Sequence, residues 1–336
     1  MNFLVISLKK YLFTTIIVLF TICLILFSTT NLDAARNGLA LFVTSVLPTL
    51  FPFFVATELL LKSNLINILG KLLNKFIKPL FNVPGESFIA IILGIISGYP
   101  VGAKIVCDLK KEKKISKIEA ERLISFTNNS GPLFILGTVG IALFGTKKIG
   151  IILLIAHIIS SLIVGYIFRF WKKNTPDFSN YTLSYHYKNL EENHLIKLSN
   201  IGEILGDAIK KSIFTLLNIG GFIVLFSVII SILDNSGLIN TLSNLFSFLG
   251  INSQILNSFL FGFIELTNGV SLTSKYFYTF PTISILTTSF ILGFGGLSVL
   301  LQVYSIIAKE NISIKPYFYG KLLQGIISVF ITFILL

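Results

Sequence analysis

Apolar residues run through this chain in long blocks rather than in an alternating stripe. The blocks are Tyr11–Thr30, Leu39–Leu61, Phe88–Cys107, Leu123–Phe144, Ile149–Phe170, Ile213–Leu233, Ile255–Leu272, Ile283–Ala308 and Phe318–Leu336. Most reach the roughly 20 residues, or about 30 Å of helix, that span the hydrocarbon core of a bilayer. Backbone polar groups in lipid are satisfied only in helices or closed barrels, and such runs lack the alternation of a barrel strand. The pattern predicts an all-α polytopic membrane protein. One long polar segment, Trp171–Lys211, divides the blocks into two sets. Its stretch Asn174–His194 carries no apolar period and reads as a solvated linker.

Several blocks are interrupted. In SFTNNSGPLF (Ser125–Phe134), the six residues Thr127, Asn128, Asn129, Ser130, Gly131 and Pro132 are polar or turn-forming. A loop outside the membrane would leave only the 12 residues Leu133–Phe144 to cross it, about 18 Å of helix. The better reading is a helix broken at membrane depth, which survives only inside protein or against a water-filled cavity. Asn129 or Ser130 is placed to cap the half-helix that follows, and Pro132 suits its first turn. That half-helix would turn its positive end toward an anion.

Three interrupted motifs recur across the linker. VLPTLFPFFV (Val46–Val55) pairs with LLNIGGFIVL (Leu216–Leu225), GIISGYPVGAK (Gly94–Lys104) with GFIELTNGVSL (Gly262–Leu272), and SFTNNSGPLF with SFILGFGGLS (Ser289–Ser298). The offsets are about 170, 168 and 164 residues. Repeated, interrupted apolar segments in corresponding halves are the mark of a secondary transporter. Pro48 and Pro52 are expected to interrupt the first motif; Gly98, Pro100 and Gly102 the first half's second; Gly131 and Pro132 its third. In the second half the breakers are Gly269 and the run Gly293, Gly295 and Gly296.

Composition supports the membrane reading: of 336 residues 54% are hydrophobic and 12% charged, with mean hydropathy +0.85. The formal charge of +12 raises the possibility of nucleic acid, but the placement of the lysines answers it. Let the N-terminus lie inside and let Phe88–Cys107 and Ile255–Leu272 be re-entrant hairpins. The inner segments then hold 23 of the 27 Lys and Arg, Lys104 and Lys321 among them, leaving Arg36, Lys147, Lys148 and Lys275 outside. Cations favour the cytoplasmic side of short loops, and making Phe88–Cys107 a full span destroys the bias. The expected organisation is therefore about seven full spans: an extra N-terminal helix (1–37), a first repeat (38–170), a cytoplasmic linker (171–211) and a second, inverted repeat (212–336). The Tyr11–Thr30 core is too long for a typical signal peptide and reads as a retained helix.

Candidate chemistry sits at the breaks and hairpin tips. Thr127, Asn128, Asn129 and Ser130 offer neutral donors and acceptors, and the tip SGYPVG adds Ser97 and the aromatic face of Tyr99. In the opposite tip Glu265, with Thr267 and Asn268, is an acid inside an apolar block, and intramembrane charge is usually functional; it is a candidate for a coupling proton or cation. Glu58 is placed to snorkel from the end of its helix, and His157 to hydrogen-bond between helices. Cys23 and Cys107 read as apolar fillers. His157, His186 and His194 show no metal-ligand spacing, and no phosphate loop, GxSxG or HExxH motif occurs. No cofactor, metal or enzymatic activity is expected.

Taken together, LPTLFPFFV (Leu47–Val55), SGYPVGAK (Ser97–Lys104), NNSGPLFILG (Asn128–Gly137) and GFIELTNG (Gly262–Gly269) resemble the YlbJ family of sporulation integral membrane proteins, over roughly Gly38–Leu336. That family carries the nucleoside-recognition or gate domain shared with nucleoside transporters. The resemblance implies a multi-pass protein of the outer forespore membrane, needed for spore maturation and associated with moving dipicolinic acid from the mother cell. The residues alone reach only a carrier of a small polar or anionic solute. Two other readings stay open: a nucleoside carrier, and a non-transporting scaffold for spore-envelope assembly working through the linker. The expected partners are the bilayer, the solute and a coupling proton or cation, with a homo-oligomer left open and no nucleic acid.

Overall fold

The computed structural model describes residues 2–62, 65–173, 201–245 and 252–336, in which all regular structure is helical. The polar stretch of the linker, with His186 and His194, lies outside the described residues. In the first half α1 (Asn2–Leu26) precedes α2 (Ser28–Leu41), which continues through a π-helical turn (Phe42–Val46) into α3 (Leu47–Lys62). Next come α4 (Leu65–Phe81), α5 (Phe88–Ile96), α6 (Val101–Lys111), α7 (Lys117–Ile124), a π-helical segment (Phe134–Leu143) and α8 (Lys147–Phe168). The second half holds α9 (Ile201–Asn235), α10 (Leu238–Leu245), α11 (Ser253–Ile264), α12 (Leu266–Lys275), α13 (Pro281–Phe294), α14 (Gly296–Ile307) and α15 (Lys315–Leu335).

The order of elements repeats, as the paired motifs predict. The continuous helix 28–62 corresponds to α9, α4 to α10, the pair α5–α6 to α11–α12, the broken helix 117–143 to α13–α14, and α8 to α15. The two long helices pack along each other through small residues: Gly38 faces Ser227, and Gly220 lies under the ring of Phe42. Small residues allow such close crossings where lipid supplies no hydrophobic drive between helices.

Among the described residues four helices are long and apolar enough to cross a membrane: Lys147–Phe168, Ile201–Asn235, Pro281–Glu310 and Lys315–Leu335. Two bent pairs raise the number to six: Thr14–Leu26 with Ser28–Thr44, at 98°, and Ile68–Phe81 with Gly85–Ile96, at 86°. Four of the expected spans are thus present as such, and the others are bent or built from pieces. The pieces follow from local chemistry. Pro48 and Pro52 do not break their helix: the chain stays helical through both, and a π turn, Phe42–Val46, lies just upstream. α9 begins at Ile201, well before the expected apolar block, so the linker's last residues are helical.

α4 is a surface helix that the block pattern missed. Ile68, Leu72, Phe76 and Leu80 form an exposed apolar stripe at helical spacing, flanked by exposed Lys71, Lys75 and Lys78. That is the composition of a helix lying in a membrane interface, and its near-perpendicular meeting with α5 fits that placement. Gly85 holds the corner: its N–H donates to Asn74 Oδ1 at 3.0 Å, and a Cβ there would fall on the Gly70 carbonyl.

The buried apolar residues form two clusters. One surrounds Phe54, Ile105, Leu109, Leu123 and Phe126; the other joins Ile135, Val139, Leu153, Val270 and Ile291. Tyr99, at the first hairpin tip, packs against both.

Candidate functional site

Both expected hairpins are present, and the first clasps the first break through close backbone contact. α5 and α6 fold back on each other at Ser97–Pro100. Gly94 and Gly102, one on each arm, face the carbonyl of Thr127, and a Cβ at either would fall on that oxygen. Gly98, at φ +89°, lies against Gly131, with a Cβ position 3.1 Å from its nitrogen. The expected breakers Gly98 and Gly102 therefore work as close-approach residues, which only a missing side chain permits, while Gly131 packs on the tip at ordinary contact distance.

That clasp buries the polar run completely. Thr127, Asn128, Asn129 and Ser130 are all buried. Asn128 Oδ1 accepts the Ala103 N–H of α6 at 3.4 Å, and Asn128 Nδ2 donates to the Tyr317 hydroxyl at 3.3 Å. Asn129 Nδ2 donates to the Phe126 carbonyl at 2.7 Å, and Asn129 Oδ1 accepts from Gln324 Nε2 at 2.9 Å. The Ser130 N–H donates to His157 Nε2 at 3.2 Å. Neither Asn129 nor Ser130 caps the following half-helix, contrary to expectation. Its wide π turn lets both Phe134 N and Ile135 N reach the Gly131 carbonyl, at 3.1 Å each. The asparagines instead cap a neighbouring helix and close the end of their own.

From α15, Lys321 Nζ donates to the Asn128 carbonyl at 2.9 Å and to Gln324 Oε1 at 2.7 Å, and lies 5.1 Å from the centroid of the Tyr99 ring. Gln324 Nε2 also reaches the His157 carbonyl at 3.3 Å. Tyr317, Lys321 and Gln324 are thus three members of the cluster that sequence reasoning missed. Lys321 had been assigned to a cytoplasmic rim by charge counting; it is 0% exposed, two turns inside an apolar helix. His157 is the interhelical hydrogen bonder that the sequence suggested. Three buried polar atoms around the break have no protein partner, Ser97 Oγ, Thr127 Oγ1 and His157 Nδ1, while the Ser130 hydroxyl interacts with that of Tyr99.

The second break is built of bare backbone. Gly295 and Gly296 take φ of +86° and +83°, which ends α13 and lets α14 start at once. Gly296 packs on the second hairpin tip, near the carbonyls of Gly262 and Ile264, while Gly293 packs on Gly325. Gly269 sits against Gly262 inside that hairpin. The Tyr99 hydroxyl crosses from the first half and donates to the Leu292 carbonyl at 3.1 Å.

Glu265 makes local bonds. It is the N-cap of α12, accepting from Thr267 N at 3.0 Å, Asn268 N at 2.8 Å and Asn268 Nδ2 at 2.9 Å. Glu58 does not snorkel. It is buried against Lys104, with Lys211 at 3.3 Å, and Lys104 also holds Asp108 at 2.9 Å. This charge cluster ties α3, the hairpin arm α6 and α9 together.

Residues 43–147 match the Gate family, described as nucleoside recognition. The chain is also 37% identical over 309 residues to the sporulation integral membrane protein YlbJ of Bacillus subtilis (strain 168), covering 88% of this chain and 75% of that one. The chain belongs to the YlbJ family of sporulation integral membrane proteins. No solved structure matches it. Within this YlbJ-family chain the Gate match supplies the first hairpin and the first break, with every side chain of SFTNNSGPLF. Tyr317, Lys321 and Gln324 come from beyond it. A gate domain in an integral membrane protein suggests a transporter-like or scaffolding role rather than an enzymatic one.

Proposed function

We propose that this protein carries a small anionic solute across the membrane, with the first helix break as its binding site, and that the solute is dipicolinate moved from the mother cell across the outer forespore membrane. One observation carries the reading: three buried polar atoms, on Ser97, Thr127 and His157, have no protein partner where two half-helices and a hairpin tip meet. Unpartnered polar groups are costly at membrane depth and mark where a polar solute or water binds. Tyr99 adds an aromatic face and the hydroxyls add donors, which suit a flat aromatic dicarboxylate. The repeated, interrupted architecture is that of carriers whose halves rock about a midplane site, and the relative's name places the family in sporulation.

The test is flux of radiolabelled dipicolinate into proteoliposomes holding the purified chain, with and without a pH gradient. Uptake above that of empty vesicles supports the reading. The Gate match favours a second one, a nucleoside carrier. Uptake of labelled uridine or adenosine in the same vesicles, with no response to dicarboxylates, would replace the first reading by the second. A scaffold would move neither and would fail on deletion of the linker.

A further inference from the structure

We infer that Lys321 is the cation that receives the solute's carboxylate, an assignment that rests on the transport reading above. Two buried lysines differ in what surrounds them. Lys104 is 8% exposed and lies between two carboxylates, Glu58 and Asp108. Lys321 is 0% exposed, and its hydrogen bonds go to neutral groups alone, the Asn128 carbonyl and the Gln324 side-chain oxygen. Among the described residues no Asp or Glu forms an ion pair with it. An ammonium taken out of water without a counter-charge is among the most unfavourable arrangements a protein holds, and intramembrane charges mark solute pathways.

The surroundings hold Lys321 in place through neutral groups alone. Its ammonium has three donors; two are used, and the Tyr99 ring lies 5.1 Å away, within cation–π range. A carboxylate arriving at the break would take the remaining donor. The rest of such a solute would meet the Tyr99 face and the unpartnered hydroxyls of Ser97 and Thr127. Lys321 comes from the second half and the hydroxyls from the first, so the solute would bridge the two repeats. The ligand class is a small, flat carboxylate rather than a neutral nucleoside.

The experiment compares equilibrium binding of labelled dipicolinate with that of its neutral isostere, pyridine-2,6-dicarboxamide, to the purified full chain, wild type and Lys321→Gln or Lys321→Met. The wild type should prefer the dicarboxylate by about 10- to 150-fold, the worth of one hydrogen bond to a charged group. Both substitutions should remove that preference while leaving diamide binding within about twofold, and detergent melting should hold or rise because an unpaired buried charge is gone. Equal wild-type binding of the two compounds overturns the inference with no variant needed. So does a Lys321→Gln protein that binds both like wild type, or one that loses both together with a fall in melting temperature, which would make Lys321 a positioning residue. In those three cases proteoliposome uptake of dipicolinate by the wild type still decides the transport reading separately; if that uptake is absent, the reading falls and takes the assignment with it.

Discussion

The two helix breaks share a backbone plan and differ in chemistry. Each puts a glycine against the tip of its own hairpin, Gly131 on the first and Gly296 on the second. Aligned by the repeat, Asn128 corresponds to Leu292, and both backbone carbonyls accept a bond from a side chain of the opposite half. Lys321 reaches Asn128 at 2.9 Å, and Tyr99 reaches Leu292 at 3.1 Å. Yet the first break carries four buried polar side chains, and the second is GFGG. A repeated fold thus preserves the shape of both breaks and concentrates the chemistry in one. The first should be damaged by adding bulk to its clasp or by removing side chains, the second mainly by adding them.

The largest effect is expected at the clasp. Gly94→Ala drives a methyl onto the Thr127 carbonyl, backbone against backbone, with no flexible side chain to yield. Overpacking of this kind costs about 3 kcal/mol, and reversible unfolding in mixed micelles should read it. If Gly94→Ala is tolerated, the hairpin is not seated on the break and the comparison fails at its root.

Next is Asn128→Ala, which strands the Ala103 N–H and removes the donor to Tyr317. A buried group left unsatisfied costs about 1–3 kcal/mol. The same assay should place Asn128→Ala between Gly94→Ala and a change in the second break. Gly295→Ala is that change: φ is +86°, and the new methyl would lie 2.9 Å from the Tyr99 hydroxyl oxygen. Left-handed strain alone costs about 1–2 kcal/mol. In a Tyr99→Phe background part of the clash is gone, so the two substitutions should be non-additive.

How much of this was legible follows from what kind of signal each feature leaves. The clasp was legible because close backbone approach requires glycine, and Gly94, Gly98 and Gly102 stand out in apolar runs. The prolines misled: Pro48 and Pro52 predict breaks, but the helix runs on through both. Lys321 was hidden by a rule that is right on average. Counting lysines toward one membrane face treats each as a rim residue, and a lysine near a helix end reads as one that snorkels. The correcting signal was the polar stripe Lys321, Gln324, Ser328 and Thr332, spaced three and four residues apart in an otherwise apolar helix, and all four are buried. The cross-repeat bonds left no local trace, because which carbonyl Tyr99 or Lys321 reaches depends on how the halves pack.

The smallest effect separates two roles for Glu265. Sequence reasoning singled it out as an acid in an apolar hairpin and hence as a candidate carrier of a coupling proton. In the fold its carboxylate is tied to three donors of the two residues Thr267 and Asn268, all within the first turn of α12. Here the second half differs from the first once more: its charged side chain is held by its own helix, whereas Lys321 is held at a break across the repeat boundary. Glu265→Gln keeps one oxygen to cap the helix but loses the second acceptor and the charge at its positive end, the charge alone being worth about 0.3–1 kcal/mol. Melting should move little, and pH-gradient-driven accumulation of labelled dipicolinate in proteoliposomes should survive, as a capping residue requires. Accumulation abolished with solute exchange intact would return Glu265 to the coupling role. It would also mean that the chemistry is divided between the two halves rather than gathered at the first break.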